Sequence, residues 1–386
     1  ASAGAEDAAE PAVTPAAPES SLPPCSIKVV GVGGGGGNTL NRMVSLGTDT
    51  FIDFVAINTD VQALAASSAD VRVQIGDDDA RGLGAGGVPA VGRASAIAAQ
   101  EDLWPLIAGT DMVFVTAGMG GGTGSGAAPV VAELSKAAGC LTVGIVTKPF
   151  SFEGRRRMNQ AVEAIDALEA QVDILIVVSN DKLLEIVPEG VPLQEAFSMA
   201  DEILRQGITG ISDIVVKPGL INVDFADVRA VMSDAGPALM GIGRGFGKTR
   251  ARDAALAAVS SPLLDFPIER AKGVVFTITG TSDMSLQEVN EVASVISNIC
   301  ADDANIIFGT SVDETYGDEI AVTVVATSFD VPPEAMATGG REAPQPAPPR
   351  QFAPPPQPRQ PPSNWQPPPP PGAPPAQPKK RFFGRF

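Results

Sequence analysis

The chain has 386 residues, enough for two domains with cores of their own, since domains usually contain roughly 100 to 200 residues. It contains no histidine and only three widely separated cysteines, which excludes a histidine-based catalytic triad and the usual zinc sites. The net charge is -18, and residues 331–386 carry +5 (seven Lys and Arg against two Glu), so the preceding residues carry -23. A body this acidic is not expected to bind nucleic acid.

Residues 1–24 are mostly Ala, Pro, Ser and Glu, and they predict a disordered leader. From residue 25 onward, short β-branched runs alternate with helix-compatible stretches such as 93–107 and 156–170. This alternation predicts an α/β fold with a doubly wound, mainly parallel sheet over residues 25–192, whose loops at the strand ends hold a ligand. The predicted strands are SIKVVGV (26–32), FIDFVAIN (51–58), VRVQI (71–75), MVFVTAG (112–118), LTVGIVT (141–147) and VDILIVV (172–178).

Apolar residues recur at helical spacing over about five turns at 193–212, which predicts a long central helix. Residues 213–330 then predict a second, smaller α/β domain, with strands at 273–280, 305–309 and 319–326 and helices at 250–260 and 285–299.

Twenty of the 35 prolines lie between Pro332 and Pro378, so residues 331–378 predict an extended, disordered linker. The end of the chain, KKRFFGRF (379–386), is basic and aromatic. We interpret it as a docking or membrane-contacting peptide, with a merely solvated end as the alternative.

Two glycine-rich runs follow strands of the predicted sheet, GVGGGGGN (31–38) and GMGGGTGSG (118–126). Because glycine has no Cβ, backbone N–H groups can approach phosphate oxygens, and a following helix N-terminus adds a favourable dipole. Thr123 and Ser125 add hydroxyl donors. The first run alone fits a dinucleotide-binding fingerprint, which is a weak signal. The second has six glycines in nine residues and indicates a phosphate site.

The segment GIGRGFGKT (241–249) resembles a P-loop, but Ile242 occupies the position where the pattern GxxxxGK[ST] requires glycine. No strand suited to a phosphate loop is predicted before it. Lys248 and Arg250 are interpreted as ordinary charges at the start of a helix.

An ordered set of motifs resembles the FtsZ cell- and organelle-division GTPases over about residues 26–328. The motifs are GVGGGGGN, NTD (58–60), GLGAGG (82–87), GMGGGTGSGAAP, TKPFSFEGRRR (147–157), NDKLL (180–184) and NVDFADV (222–228).

The resemblance implies that the chain binds GTP and GDP. The implied phosphate contacts are Gly34, Gly35, Asn38, Gly120, Gly121, Gly122, Thr123 and Gly124, with Ala85, Gly86 and Gly87 sensing the γ-phosphate. The implied ribose and phosphate contacts are Glu153 and Arg157, and the implied guanine contacts are Asn180, Asp201 and Phe197. An Asp carboxylate suits guanine because it accepts from both N1 and the exocyclic amino group, and adenine offers no such donor pair. Two alternatives stay open: a helix-surface ion pair for Glu153 and Arg157, and a core position for Phe197.

The resemblance also implies that Asn222, Asp224 and Asp227 form a catalytic loop. Without histidine, carboxylates are the natural groups to orient a water molecule for attack on a γ-phosphate. The alternative from the residues alone is a helix N-cap. In the family this loop enters the nucleotide pocket of the next subunit, which implies a head-to-tail homopolymer whose hydrolysis depends on assembly. Mg²⁺ is expected to bind mainly through the phosphates.

Bacterial members generally end in a peptide similar to DIPxFLR, and KKRFFGRF does not match it. Together with a first residue that is Ala rather than Met, this favours a chloroplast division protein of the stroma, recruited to the division site, with the bacterial cytoplasm as the alternative. A sister FtsZ is a further expected partner. Two other functions stay open: an NAD-type Rossmann oxidoreductase, and a relative that assembles but hydrolyses poorly.

Overall fold

The computed structural model describes residues 25–47, 51–76, 82–186, 191–217, 221, 223–264, 268–301 and 303–329. The predicted leader (1–24), linker (331–378) and basic tail (379–386) lie outside these residues. The strands are β1 (Ile27–Val32), β2 (Ile52–Asn58), β3 (Val71–Gln74), β4 (Met112–Gly118), β5 (Leu141–Lys148), β6 (Ile174–Ser179), β7 (Gly236–Phe246), β8 (Ala271–Gly280), β9 (Asn305–Val312) and β10 (Glu319–Phe329).

The helices are α1 (Gly33–Ser45), α2 (Val61–Ala65), α3 (Pro89–Ala98), α4 (Gln100–Ile107), α5 (Thr123–Ala137), α6 (Arg155–Glu169), α7 (Asn180–Ile186), α8 (Leu193–Val216), α9 (Phe225–Met232), α10 (Arg250–Val259) and α11 (Leu286–Ser297). The helix predicted over 93–107 is two helices, α3 and α4, and α8 continues to Val216, four residues past its predicted end. No described helix is both long enough and apolar enough to span a bilayer.

The ten strands form one sheet in the order β3-β2-β1-β4-β5-β6-β7-β10-β8-β9. The pairs from β3 through β6 are all parallel, as the alternation of strands and helices predicts, so these strands all end at one edge of the sheet. We name this edge the carboxyl edge and the opposite one the amino edge. β7 joins the two halves, because it is parallel to β6 and antiparallel to β10.

The parallel half of the sheet is buried on both faces. Along β1, Ile27 and Val29 belong to one core, which includes residues of α1 and α8, whereas Val30 and Val32 belong to another, which includes residues of α3 to α6. This two-sided burial explains why the strands are nearly continuous apolar runs. A third core lies between α10, α11 and the strands β8 and β10.

Strand β7, which the sequence analysis does not predict, runs through GIGRGF, so this segment is itself a strand and not a loop after one. Glycine is depleted from strands, which hides β7 from a propensity argument. Gly241, Gly243 and Gly245 alternate on one face of β7, and a Cβ on any of them would overlap the backbone of α10. The glycines therefore allow a close helix–strand contact, and Ile242 still rules out a P-loop.

Arg250 is also more than a charge at a helix start. Its side chain is only 9% exposed, and it pairs with Glu288 at 2.6 Å and with Asp283 at 3.2 Å. The guanidinium of Arg250 lowers the pKa of Glu288 to about 2. Arg250 thus fastens the start of α10 to the start of α11.

Candidate functional site

The first two glycine runs lie against each other at the carboxyl edge, because β1 and β4 are neighbours. Most of the first run forms the start of α1, which begins at Gly33. A Cβ on Gly33 would lie 2.9 Å from the backbone nitrogen of Gly124, and one on Gly35 would lie 2.9 Å from that of Gly118. Close backbone packing therefore requires glycine at both positions.

In the second run, three predicted phosphate contacts also have a packing reason to be glycine. A Cβ on Gly120 or Gly124 would meet a backbone carbonyl oxygen at 2.7 Å, and one on Gly122 would lie 2.8 Å from the Cβ of Ala85. The buried Oγ of Ser125 accepts from the Gly120 N–H at 2.8 Å, so Ser125 shapes the loop. Because a hydroxyl that accepts can also donate, donation from Ser125 to a phosphate stays a prediction.

Gly34 and Gly121 differ from these packed glycines. Within the described residues, no atom lies within 4 Å of where their Cβ atoms would stand, and neither has a positive φ. Neither packing nor backbone conformation explains the missing side chain. The free space adjoins the N-termini of α1 and α5, whose dipoles favour an anion. A phosphate group has the charge that this cradle favours.

A third glycine run, GLGAGG (82–87), lies against the second. Ala85 is buried beside Gly122, and Gly86 and Gly87 have φ values of 57° and 73°, which glycine adopts without strain. The Gln160 side chain of α6 donates to the Gly87 carbonyl at 3.3 Å. The three runs, far apart in sequence, therefore meet at one place.

A cavity of about 280 Å³ opens beside the first two runs. The expectation that Phe197 could be a core residue is wrong, because its side chain is 40% exposed. Its ring meets the buried Phe150 edge-on, with centroids 5.3 Å apart. The cavity is lined by Gly35, Asn38, Gly118, Met119, Thr147, Pro149, Glu153, Arg157, Asn180, Phe197, Ala200, Asp201 and Leu204.

Asn180 and Asp201 offer acceptors to this cavity. Asn180 is buried, and its Oδ1 has no hydrogen-bond partner among the described residues, so a donor from a ligand would satisfy it. Burial raises the pKa of Asp201 to about 6, against the effects of the Thr39 hydroxyl, which is 3.3 Å away, and of the Arg42 charge. Guanine presents N–H donors of the kind these acceptors need. Thr39, which sequence analysis missed, has no motif that marks it.

Glu153 and Arg157 line the cavity and also pair with each other at 3.2 Å. They do not share one helix, because Gly154, at φ 102°, separates the 3-10 turn of Glu153 from α6. Glu153 also accepts from the Phe150 N–H at 2.9 Å. The ion pair therefore fixes the cavity wall, and the half-exposed Arg157 remains accessible to a ligand.

The predicted catalytic residues lie elsewhere. Asp224 caps α9 by accepting from the Ala226 N–H at 3.3 Å, and Asp227 lies in the first turn of that helix. Both are exposed, and neither lines the cavity. Asn222 lies outside the described residues.

The contacts of α9 place it at the amino edge. Arg229 of α9 donates to the carbonyl of Gly139, in the loop just before β5, at 2.8 Å. After α9 the chain enters β7, where the Gly236 N–H donates to the carbonyl of Asp173, just before β6, at 2.9 Å. The glycine runs follow the opposite ends of the strands. A seven-residue strand such as β4 spans about 23 Å, well beyond the reach of an Asp side chain.

The chain matches two family models. The model for the Tubulin/FtsZ family GTPase domain matches residues 26–188, and the model for the FtsZ family C-terminal domain matches residues 236–330. An empty FtsZ dimer from M. jannaschii is 45% identical, covers 78% of this chain and 88% of that chain, and has a TM-score of 0.76. CetZ2 from Haloferax volcanii, a GTPγS-bound protofilament, is 21% identical over 82% of this chain and 97% of that chain. Its TM-score of 0.64 shows a shared fold.

These matches exclude the oxidoreductase alternative, because a GTPase-domain model covers all three glycine runs. The glycine cradle and the unpaired acceptor of Asn180 fit a guanine nucleotide. The chain belongs to the FtsZ family, and it is a GTP-binding and GTP-hydrolysing cytoskeletal protein of cell division.

Proposed function

We propose that the chain polymerises head-to-tail and that Asp224 and Asp227 of one protomer complete the nucleotide site of the next. The observation that carries the proposal is the separation of the two halves of the site. The glycine runs lie at the carboxyl edge and α9 lies near the amino edge of the same sheet. One chain cannot bring them together, whereas stacking the amino edge of one copy on the carboxyl edge of another does.

Such a contact is heterologous, and when it does not close into a ring it repeats into a filament. Two solved relatives support self-association: the FtsZ of M. jannaschii forms a dimer, and CetZ2 of Haloferax volcanii forms a protofilament. GTP would stabilise the contact, and its hydrolysis would weaken it.

At the completed site each group has a chemical role. The N-termini of α1 and α5 and the Thr123 hydroxyl hold the phosphates, and Asn180, Asp201 and Phe197 hold the base. Asp224 and Asp227 orient a water molecule for in-line attack on the γ-phosphate. The described residues contain no group of three Asp, Glu or Cys side chains that could hold a metal ion. We therefore propose that Mg²⁺ binds through phosphate oxygens and water and neutralises their charge.

The proposed location and the tail contact rest on the two ends of the chain, which lie outside the described residues. The stromal location, with the bacterial cytoplasm as its alternative, stays a prediction. So do co-assembly with a sister FtsZ and membrane or tether contact through residues 379–386.

A complementation experiment tests the shared site. Asp227→Ala removes a carboxylate at the amino edge, and Asp201→Ala weakens the nucleotide site at the carboxyl edge. Each variant alone is expected to release little phosphate from GTP. In a mixture, the intact carboxyl edge of the first meets the intact amino edge of the second, so phosphate release should recover.

The controls are wild-type protein diluted through its assembly threshold and Asp227→Ala mixed with itself. Phosphate release per wild-type molecule should rise steeply above the threshold, together with light scattering. A wild-type specific activity that is independent of concentration, or a mixture no more active than its components, would rule out the shared site.

A further inference from the structure

Thr59 joins two of the three loops that surround the cradle. It directly follows β2 and is only 6% exposed. Its Oγ1 lies 2.7 Å from the Oγ1 of Thr123 in the second glycine run. Its carbonyl accepts from the N–H of Gly84 in the third run, at 3.3 Å. One side chain and its own backbone therefore contact both loops.

The residues after Thr59 strengthen the link to the third run. The Val61 N–H donates to the carbonyl of Gly82 at 3.1 Å, and Asp60 forms an isolated antiparallel bridge with Leu83. At its other end, the third run packs through Ala85 against the second. The third run is thus clamped between the segment after β2 and the loop that carries Thr123.

The hydrogen bond between the Thr59 and Thr123 hydroxyls can run in either direction, and a bound phosphate would select one of them. A hydroxyl donates one proton and accepts through its lone pairs. If Thr123 donates to a phosphate oxygen, its own oxygen is left to accept the proton of Thr59. This order strengthens both hydrogen bonds, since each polarises the next. Thr59 therefore gives Thr123 a fixed orientation as a phosphate donor.

We propose that Thr59 is a positioning residue that makes the site prefer GTP over GDP. It orients the Thr123 hydroxyl and holds the third run at the distance where Ala85, Gly86 and Gly87 can meet a γ-phosphate. The inference rests on the proposed function, in which Thr123 contacts a phosphate and Ala85, Gly86 and Gly87 contact the γ-phosphate. Because GDP has no γ-phosphate, losing the Thr59 hydroxyl affects GTP binding more than GDP binding.

The test compares Thr59→Val, which keeps the shape but loses the hydroxyl, with Thr59→Ser, which keeps the hydroxyl. Dissociation constants for GTPγS and GDP are measured on the full chain below its assembly threshold. The preference for GTPγS over GDP should fall about fivefold to tenfold in Thr59→Val, as expected for one lost hydrogen bond linked to a charged group. Thr59→Ser should restore it.

Thr59→Ala provides a second variant if Thr59→Val does not fold, and thermal unfolding checks both. In the background of Thr123→Val, Thr59→Val should change the preference little, because the two hydroxyls act as one unit. Three outcomes would overturn the inference: an equal loss of affinity for GTPγS and GDP, an unchanged preference in Thr59→Val, or additive effects of the two substitutions. None of these outcomes would contradict the proposed nucleotide site. Wild-type protein that binds neither nucleotide would overturn the proposed phosphate site and this inference with it.

Discussion

The two edges of the parallel sheet are built in different ways. At the carboxyl edge, buried glycines such as Gly122 and Gly124 pack closely against the backbone of neighbouring loops. The buried Oδ1 of Asn180 has no hydrogen-bond donor among the described residues. At the amino edge, Asp224 and Asp227 stand exposed on an eight-residue helix. The carboxyl edge is preorganised for recognition, whereas Asp224 and Asp227 near the amino edge lie outside the cavity that Asn180 lines.

The contrast between the two edges assigns nucleotide binding to the carboxyl edge and, under the proposed function, GTP hydrolysis to residues near the amino edge. A pocket preorganised within one chain binds its nucleotide at any protein concentration. The exposed carboxylates lie toward the opposite edge, separated from the glycine runs by about the length of a seven-residue strand, ~23 Å at ~3.3 Å per residue. Under the proposed function they act on a nucleotide held by another chain. Changes at the carboxyl edge should therefore alter affinity, and changes at the amino edge should alter turnover.

The largest effect is expected at the amino edge, where Asp224→Asn separates two roles. Asn caps a helix about as well as Asp, so thermal stability should hold. Phosphate release should nevertheless fall by roughly 100-fold or more because a charged group that orients the water is lost. Steady-state phosphate release and thermal unfolding measure the two effects.

Asp166→Asn is the matched control, since it removes another exposed carboxylate, from the last turns of α6. Its phosphate release should match the wild type. If Asp224→Asn also turns over normally while Asp224→Ala loses stability, Asp224 is a helix cap alone.

At the carboxyl edge, Asp201→Asn should weaken GTP binding roughly tenfold to a hundredfold, because hydrogen bonds to a charged group contribute about 1.5–3 kcal/mol. Xanthosine triphosphate should bind the variant better than it binds the wild type, since xanthine carries a carbonyl where guanine carries the amino group and the Asn amide can donate to it. Competition against a fluorescent nucleotide measures both affinities. Unchanged GTP affinity would remove Asp201 from the base pocket.

A smaller effect concerns pH. Burial raises the pKa of Asp201 to about 6, and guanine needs the ionised form as an acceptor. As the pH falls through 6, the carboxyl takes up a proton and affinity should fall, by roughly tenfold between pH 7 and pH 5. The charge of Arg42 on α1 acts on Asp201 and lowers its pKa in part, and the paired Glu153 and Arg157 line the same cavity.

The pH dependence of stability in the unliganded protein has the opposite sign to the pH dependence of GTP affinity. The raised pKa means that the folded state holds this proton more tightly than the unfolded state does. Its contribution to the free energy of unfolding is therefore full below about pH 3.9 and is lost as the pH rises through about 6. Asp201→Asn should show neither pH step, and a wild-type affinity that is flat from pH 5 to pH 7 would contradict the assignment.

Local pattern was enough to predict the parallel strands, the central helix and the three glycine runs, because strand and helix periodicity and the absence of a Cβ are properties of neighbouring residues. It failed at β7, where Gly241, Gly243 and Gly245 lower strand propensity but allow α10 to pack closely. It could not separate Gly34 and Gly121 from the packed glycines, since the difference depends on what lies opposite each Cα.

The order of the amino acids fixes which chemical groups are present: glycine runs suited to phosphate, Asn180 and Asp201 as acceptors suited to a base, and carboxylates in place of histidine. Where these groups lie relative to one another depends on the packing of the whole sheet. Strand order and register bring the three glycine runs together, join Thr59 to Thr123, and put Asp224 and Asp227 near the other edge. These contacts link residues distant in sequence, so they follow from packing across the whole sheet and no local pattern specifies them.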